Sequence, residues 1–217
     1  WNLPKHDEDK WDLFKEYCKQ DVVTEQEILR RLDQFPMPEA EEYQWRLCVQ
    51  MNAYGVKVDS ALIDGALYID QISTGRLTEE AIALTGLENP NSAAQLLTWL
   101  QGNGTSADNL QKATVSDLLA GELPETVRRG LEIRQQLGKT SIKKYVAMDT
   151  AKCSDERVRG LTQYYGANRT GRWAGRMVQM QNLPRNYLKT LDNAREVVKK
   201  KNYEGLRLLY GNVPDTL

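Results

Sequence analysis

Apolar residues recur at three- and four-residue spacing along most of the chain, and one short stretch breaks that rhythm by alternating. Few features constrain a fold more. A period near 3.6 requires helices that bury one stripe, whereas a period of two requires a half-buried strand. In residues 8–34, Trp11, Phe14, Cys18, Val22 and Leu29 share a helical face with charges between them. Pro36 and Pro38 stop that helix. A second helix covers about 39–53, with Tyr43, Leu47 and Met51 on one side. Tyr54-Gly55-Val56-Lys57-Val58-Asp59 reads as a turn and a short extended piece, and Asp59 or Ser60 caps a third helix over about 60–84. Asn89-Pro90-Asn91-Ser92 turns into a helix that continues through 93–100, followed by a Gly102-Asn103-Gly104 loop. Thr114 is expected to cap a short helix ending at Ala120. Pro124 opens a long one, about 124–148, that carries Arg128, Arg129, Arg134, Lys139, Lys143 and Lys144.

The break comes after Cys153. Residues 159–167 alternate and contain Tyr164 and Tyr165, Asn168-Arg169-Thr170-Gly171 has turn chemistry, and 172–181 reads as extended again. That pattern predicts an antiparallel hairpin, ended by Asn182-Leu183-Pro184-Arg185. One or two helices over about 187–210 complete the chain. The predicted class is mainly α (α+β), with one small β element and no repeats.

At 217 residues the chain allows one large domain or two small ones. Its net charge of −1 conceals a strong asymmetry. Residues 1–127 hold 10 Lys+Arg against 22 Asp+Glu, and residues 128–217 hold 19 against 8. A basic half points to nucleic acid, because phosphate contacts supply most non-specific affinity. Two solvated faces that pair with each other are the other reading of the same charges. Cys18, Cys48 and Cys153 are widely spaced and His6 is the lone histidine, so no zinc site is expected and reduced thiols are. No apolar run is long enough to span a membrane. The chain opens on Trp1 without the pattern of a signal peptide, and is expected to be a piece cut from a longer protein.

Residues 166–185, GANRTGRWAGRMVQMQNLPR, carry the most specific motif. Thr170-Gly171-Arg172 followed by Gln181-Asn182-Leu183-Pro184-Arg185 resembles the thumb-to-palm segment of family A (polymerase I-type) DNA polymerases, in its phage and prophage branch. Upstream, Leu131-Glu132-Ile133-Arg134 and Gly138-Lys139-Thr140-Ser141 resemble the family's long thumb helix with its Lys-Ser-Thr stretch. Asn89-Pro90-Asn91-Ser92 with Gln95-Leu96, and Tyr54 to Asp59, resemble two further thumb elements in the right order. The resemblance implies that Arg172, Gln181 and Asn182 touch the duplex through its minor groove. There the base pairs present acceptors at similar positions, so a sequence-blind grip is possible. Arg134, Lys139, Ser141, Lys143 and Lys144 would meet phosphates. Arg169, Thr170, Arg176, Gln179 and Arg185 complete the implied DNA-binding set.

Tyr17 and Asp21 form a Tyr-x-x-x-Asp motif, one helical turn apart on one face. It resembles the third motif of DnaQ-like 3′–5′ exonucleases, in which the Asp binds a catalytic metal and the Tyr positions water. The other exonuclease carboxylates are absent from the sequence. So is the palm's first aspartate motif, and Asp192 and Asp215 lie in no matching context. The resemblance therefore implies three parts: the last helix of an exonuclease domain (1–36), a thumb with its connection to the palm (37–155), and the start of a palm (156–217). The parent is expected to be a cytoplasmic DNA-directed DNA polymerase with 3′–5′ exonuclease, encoded by a phage or prophage. It would use magnesium, deoxynucleotides and primer–template DNA. The 217-residue piece is expected to be inactive and monomeric, with no metal bound and no membrane contact. The alternative is a free-standing, non-catalytic DNA-binding or helical interaction module.

Overall fold

The computed structural model describes residues 3–183, Leu188 and residues 190–216. Its contacts divide into two compact units, 1–49 and 50–217, with the dividing point inside one helix.

The first unit opens on a short 3-10 turn, Pro4–His6, and continues into α1 (Glu8–Leu32). Asp7 caps α1 by accepting the Lys10 N–H, and Arg30 and Arg31 lie in its last turn, where the helix dipole favours cations. The Trp11 ring meets Phe14 edge-on at 5.5 Å. No residue of α1 is buried. Two prolines later, α2 (Glu39–Tyr54) begins with Glu39, Glu41 and Glu42 in its first turn.

The second unit runs β1 (Val56–Lys57), α3 (Ser60–Thr85), α4 (Ala93–Gly102), α5 (Lys112–Ala120), α6 (Glu125–Leu137), α7 (Ile142–Ala151), β2 (Arg157–Val158), β3 (Thr162–Ala167), β4 (Arg172–Gly175), a 3-10 turn at Met180–Asn182, α8 (Leu191–Lys199), α9 (Tyr203–Tyr210) and α10 (Val213–Thr216). The chain is thus mainly α with a small antiparallel hairpin, β3–β4, as its periodicity predicts. A second antiparallel pair is not legible in the pattern: β1 joins β2 with Val56 opposite Val158.

Helix α3 is the spine of this unit. Asp59 caps it by accepting the Leu62 N–H at 3.0 Å, and the same carboxylate pairs with Lys199 of α8 at 2.8 Å. That lysine, with the cap bond, holds the Asp59 carboxyl below the usual range. Along one side, Ala66 and Ile69 pack on Val198, Leu206 and Val213. Farther along, Leu77 and Ala81 pack on Ile133 of α6. A third cluster, Leu96, Leu100, Val115, Val127 and Leu131, joins α4, α5 and α6. A fourth, Val158, Leu161 and Val178, lies at the foot of the hairpin.

Three expectations are corrected. The second extended stretch, expected over 172–181, ends at Gly175 and is followed by a 3-10 turn at Met180–Asn182. The helix predicted over 124–148 is two helices, because Gly138-Lys139-Thr140-Ser141 interrupts it. Lys139 N–H turns back to Gln136, Lys143 N–H to Thr140 and Lys144 N–H to Ser141, which are tight three-residue closures in place of α-helical ones. Gly138, Thr140 and Ser141 are weak helix formers, and packing decides the outcome. Thr114 does not cap α5. Asn109 organises that entry instead, accepting both the Gln111 N–H and the Thr114 hydroxyl, so the helix starts at Lys112.

The tightest approach in the spine is at Gly65, where an added Cβ would stand 2.1 Å from the Val198 carbonyl oxygen. Backbone cannot retreat as a flexible side chain can, so Gly65→Ala must push α8 off α3. We expect it to cost about 1–3 kcal/mol, the usual scale of overpacking, read as a lowered midpoint in urea. An unchanged midpoint would mean that α8 is not docked at this distance.

Candidate nucleic-acid interface

The basic half of the sequence separates, in three dimensions, into cations that hold the fold and cations that are free. The foot of the hairpin is held by the first kind. The Asn52 side-chain amide donates to the Thr162 carbonyl at 2.7 Å and accepts the Thr162 N–H at 3.0 Å. Arg157 donates to the Gly55 carbonyl and the Tyr54 hydroxyl, with its cation 4.0 Å from the Tyr54 ring centre. Arg159 donates to the Ala53 carbonyl and forms a two-pronged pair with Asp155 at 2.9 and 2.6 Å. That pairing pulls the Asp155 carboxyl down to about 2. Lys144 also belongs here. Its ammonium donates to the Val178 carbonyl at 2.7 Å, tying α7 to the segment beyond β4.

Beyond this foot the hairpin carries free cations. Ala167 accepts N–H bonds from both Thr170 and Gly171, and Gly171 takes φ +66° to close the turn. Arg169 and Thr170 are exposed in the turn, Arg172 is exposed at the first position of β4, and Arg176 is exposed just past its end. Arg134, Lys143, Arg169, Arg172 and Arg176 make no side-chain hydrogen bond or ion pair among the described residues. Such groups remain available to phosphates or base edges.

After β4 the backbone is irregular. Met177 and Gln179 both take φ +50°, on either side of buried Val178. A left-handed backbone at non-glycine residues costs on the order of 1–3 kcal/mol each. The irregularity brings three of the predicted residues together: the Asn182 amide donates to the Gln179 side-chain oxygen at 3.2 Å, and Gln181 lies over Gly175, where a Cβ would stand 2.2 Å from its Oε1. All three are exposed. Arg185 lies outside the described residues.

A third group forms at the break between α6 and α7. Arg134 and Lys139 line a cleft of about 530 Å³ together with Lys112 of α5, and no carboxylate is among its lining residues. Lys112 was not singled out by sequence. It is a lone cation inside an acidic stretch, and only the folding of α5 against α6 makes it a neighbour of Arg134. Ser141 is half-buried at the start of α7 and lines a separate, more apolar cleft of about 410 Å³ with Lys144. Lys143 points away as an exposed side chain.

In the first unit, Tyr17 and Asp21 lie one turn apart on α1, both exposed. Among the described residues no group of three or more His, Cys, Asp or Glu stands together as a metal cage. No described helix is long and apolar enough to cross a membrane.

Over 216 residues, the whole of its length, the chain is 49% identical to a protein named DNA polymerase from Bacillus phage SP02, of which it spans 33%. No family model matches the chain, and no solved structure does.

The Lys144 bond separates a structural cation from a free one nearby. Lys144→Met leaves a buried carbonyl without its charged partner, and is expected to cost about 1–3 kcal/mol of stability. Lys143→Met removes no bond and should leave the melting temperature within about a degree, since exposed substitutions away from such features are nearly neutral. Differential scanning calorimetry of the two variants decides the matter. Equal melting temperatures would show that the Val178 contact contributes nothing.

Proposed function

We propose that this chain is the duplex-gripping portion of a DNA polymerase of the polymerase I type. The observation that carries the reading is 49% identity along the whole chain to one third of a phage protein named DNA polymerase. The geometry supports it: free arginines stand on and beside a braced hairpin, and a carboxylate-free basic cleft lies at the α6–α7 break. In this reading residues 1–36 end an exonuclease domain, 37–155 form the thumb and 156–217 begin the palm. Arg134, Lys139 and Lys143, joined by Lys112, meet phosphates. Arg172, Gln181 and Asn182 read the minor groove, whose acceptors vary little with sequence.

Magnesium and deoxynucleotides belong to the rest of the parent protein. Two-metal phosphoryl chemistry needs paired carboxylates; among the described residues no group of three or more His, Cys, Asp or Glu stands together, and Asp21 alone cannot hold two ions. The piece by itself therefore binds and positions but does not polymerise or excise. The competing reading, a non-catalytic DNA-binding module, predicts the same binding. It differs in the parent, which would then lack nucleotide addition.

Two tests follow. The 217-residue chain should bind a fluorescent primer–template without sequence preference. Its affinity should fall steeply as salt rises, with each neutralised phosphate adding roughly 0.9 to the log–log slope. A salt-independent affinity, or none at low salt, would overturn the proposal. In the full-length parent, Arg172→Ala should slow nucleotide addition on the order of a hundredfold at saturating DNA, because misplacing a reacting group by about 1 Å costs that much. Lys143→Ala should instead weaken binding and flatten the salt slope by about one unit. If Arg172→Ala extends primers at the parent's rate, Arg172 does not position the primer end.

A further inference from the structure

The hairpin holds an aromatic side chain that the duplex-gripping reading leaves unused. Strand β3 pairs Gln163 with Ala174 and Ala167 with Arg172, so Tyr164, Tyr165 and Gly166 oppose Trp173 alone. A bulge of this kind re-aims a side chain. Here it sets Tyr165 at φ +53°, a backbone region that bulky residues rarely adopt. The strain does not serve to bury the ring, since Tyr165 remains 51% exposed. Instead the ring edge rests on Gly171, where any Cβ would stand 2.8 Å from Tyr165 Cε2. Tyr164 meets it edge-on with centroids 6.1 Å apart, and Tyr164 in turn meets Trp173 at 5.5 Å. The Tyr165 ring is thus propped from below by the turn glycine and from the side by a second ring. Arg169 in the turn and Arg172 at the start of β4 lie close to it in sequence, and neither side chain has a partner among the described residues.

We propose that Tyr165 is a stacking platform for one unpaired nucleobase at the edge of the duplex, with Arg169 or Arg172 taking the adjoining phosphate. This rests on the reading of the hairpin as a DNA-binding element. Bases in the interior of a duplex have both faces covered, so an exposed ring beside free arginines finds an open π-face only at a duplex end, and an unpaired base there offers the most. Single-strand sites combine these same two features, an aromatic face and backbone-tracking cations.

The test compares three fluorescent probes with the 217-residue chain: a blunt duplex, the same duplex with a single-stranded template overhang, and that overhang with an abasic first position. The overhang should bind on the order of tenfold more tightly than the blunt duplex, and the abasic probe should lose that advantage. Tyr165→Asn is the informative variant, because asparagine tolerates the left-handed backbone while removing the ring. It should retain blunt-duplex affinity and abolish the preference for the overhang. Tyr165→Phe, which keeps the ring, should retain the preference. Equal binding of blunt and overhung probes, or an overhang preference that survives Tyr165→Asn, overturns the platform and leaves the duplex reading standing. Failure of all three probes to bind at low salt overturns both.

Discussion

The contact on which the second unit depends is the seam between α3 and α8. Gly65 leaves no room for a methyl against the Val198 carbonyl, and Ala66 and Ile69 follow on the same side with no exposed surface. Small residues let two backbones close to van der Waals distance, and the neighbouring aliphatic side chains then seal the seam. Lys199, the next residue along α8 after Val198, reaches back to the Asp59 cap, so the seam and the start of α3 are held together. Helix α3 also packs on α6 and α7, so the helices on either side of the basic cleft rest on the same spine as this seam.

Charge counting along the sequence gives the right sign and an overestimate of what is free. Arg128 donates to the Leu119 and Gly121 carbonyls, Arg129 forms a two-pronged pair with Glu80, and Arg157 and Arg159 brace the hairpin foot. These cations hold the fold, and removing one leaves carbonyls or carboxylates without a partner. Among the described residues, Arg134, Lys143, Arg169, Arg172 and Arg176 keep side chains without a hydrogen bond or ion pair, and these five lie near the α6–α7 break and along the hairpin. A basic half becomes a candidate interface only where its cations are not already spent on the fold.

The same distinction explains what was legible in advance. The first four helices and the hairpin turn follow from local signals: helical spacing, the Pro36 and Pro38 stop, the cap at Asp59, the Asn89–Ser92 turn, and Gly171 in the hairpin turn. The break after Leu137 was not legible, because Gly138 to Ser141 only weakens a helix and contains no proline to end one. Nor was the pairing of β1 with β2, which joins segments about a hundred residues apart through two residues of ladder. Of the candidate site, the motif residues Arg172, Gln181 and Asn182 were readable as a pattern. The Lys144 bond to the Val178 carbonyl was not, since what a lysine meets within the fold depends on what packs beside it.

The backbone irregularities sharpen that last point. Among the described residues, non-glycine positions with positive φ are Glu156, Tyr165, Met177, Gln179 and Lys201, and three of the five fall between 165 and 179. No propensity scale favours tyrosine, methionine or glutamine there, so each works against its local preference. Sequences fold well when local choices agree with the global fold, and exceptions persist where surrounding structure over-determines them. Here the surroundings do so: Lys144 fixes the Val178 carbonyl between two left-handed residues, and Gly171 props the Tyr165 ring. The strained stretch is also the one that holds Arg169, Arg172, Arg176 and Gln179 at the surface, immediately before Gln181 and Asn182. The strain is braced from within by the Lys144 bond and the Gly171 contact, and the polar groups it carries are left at the surface.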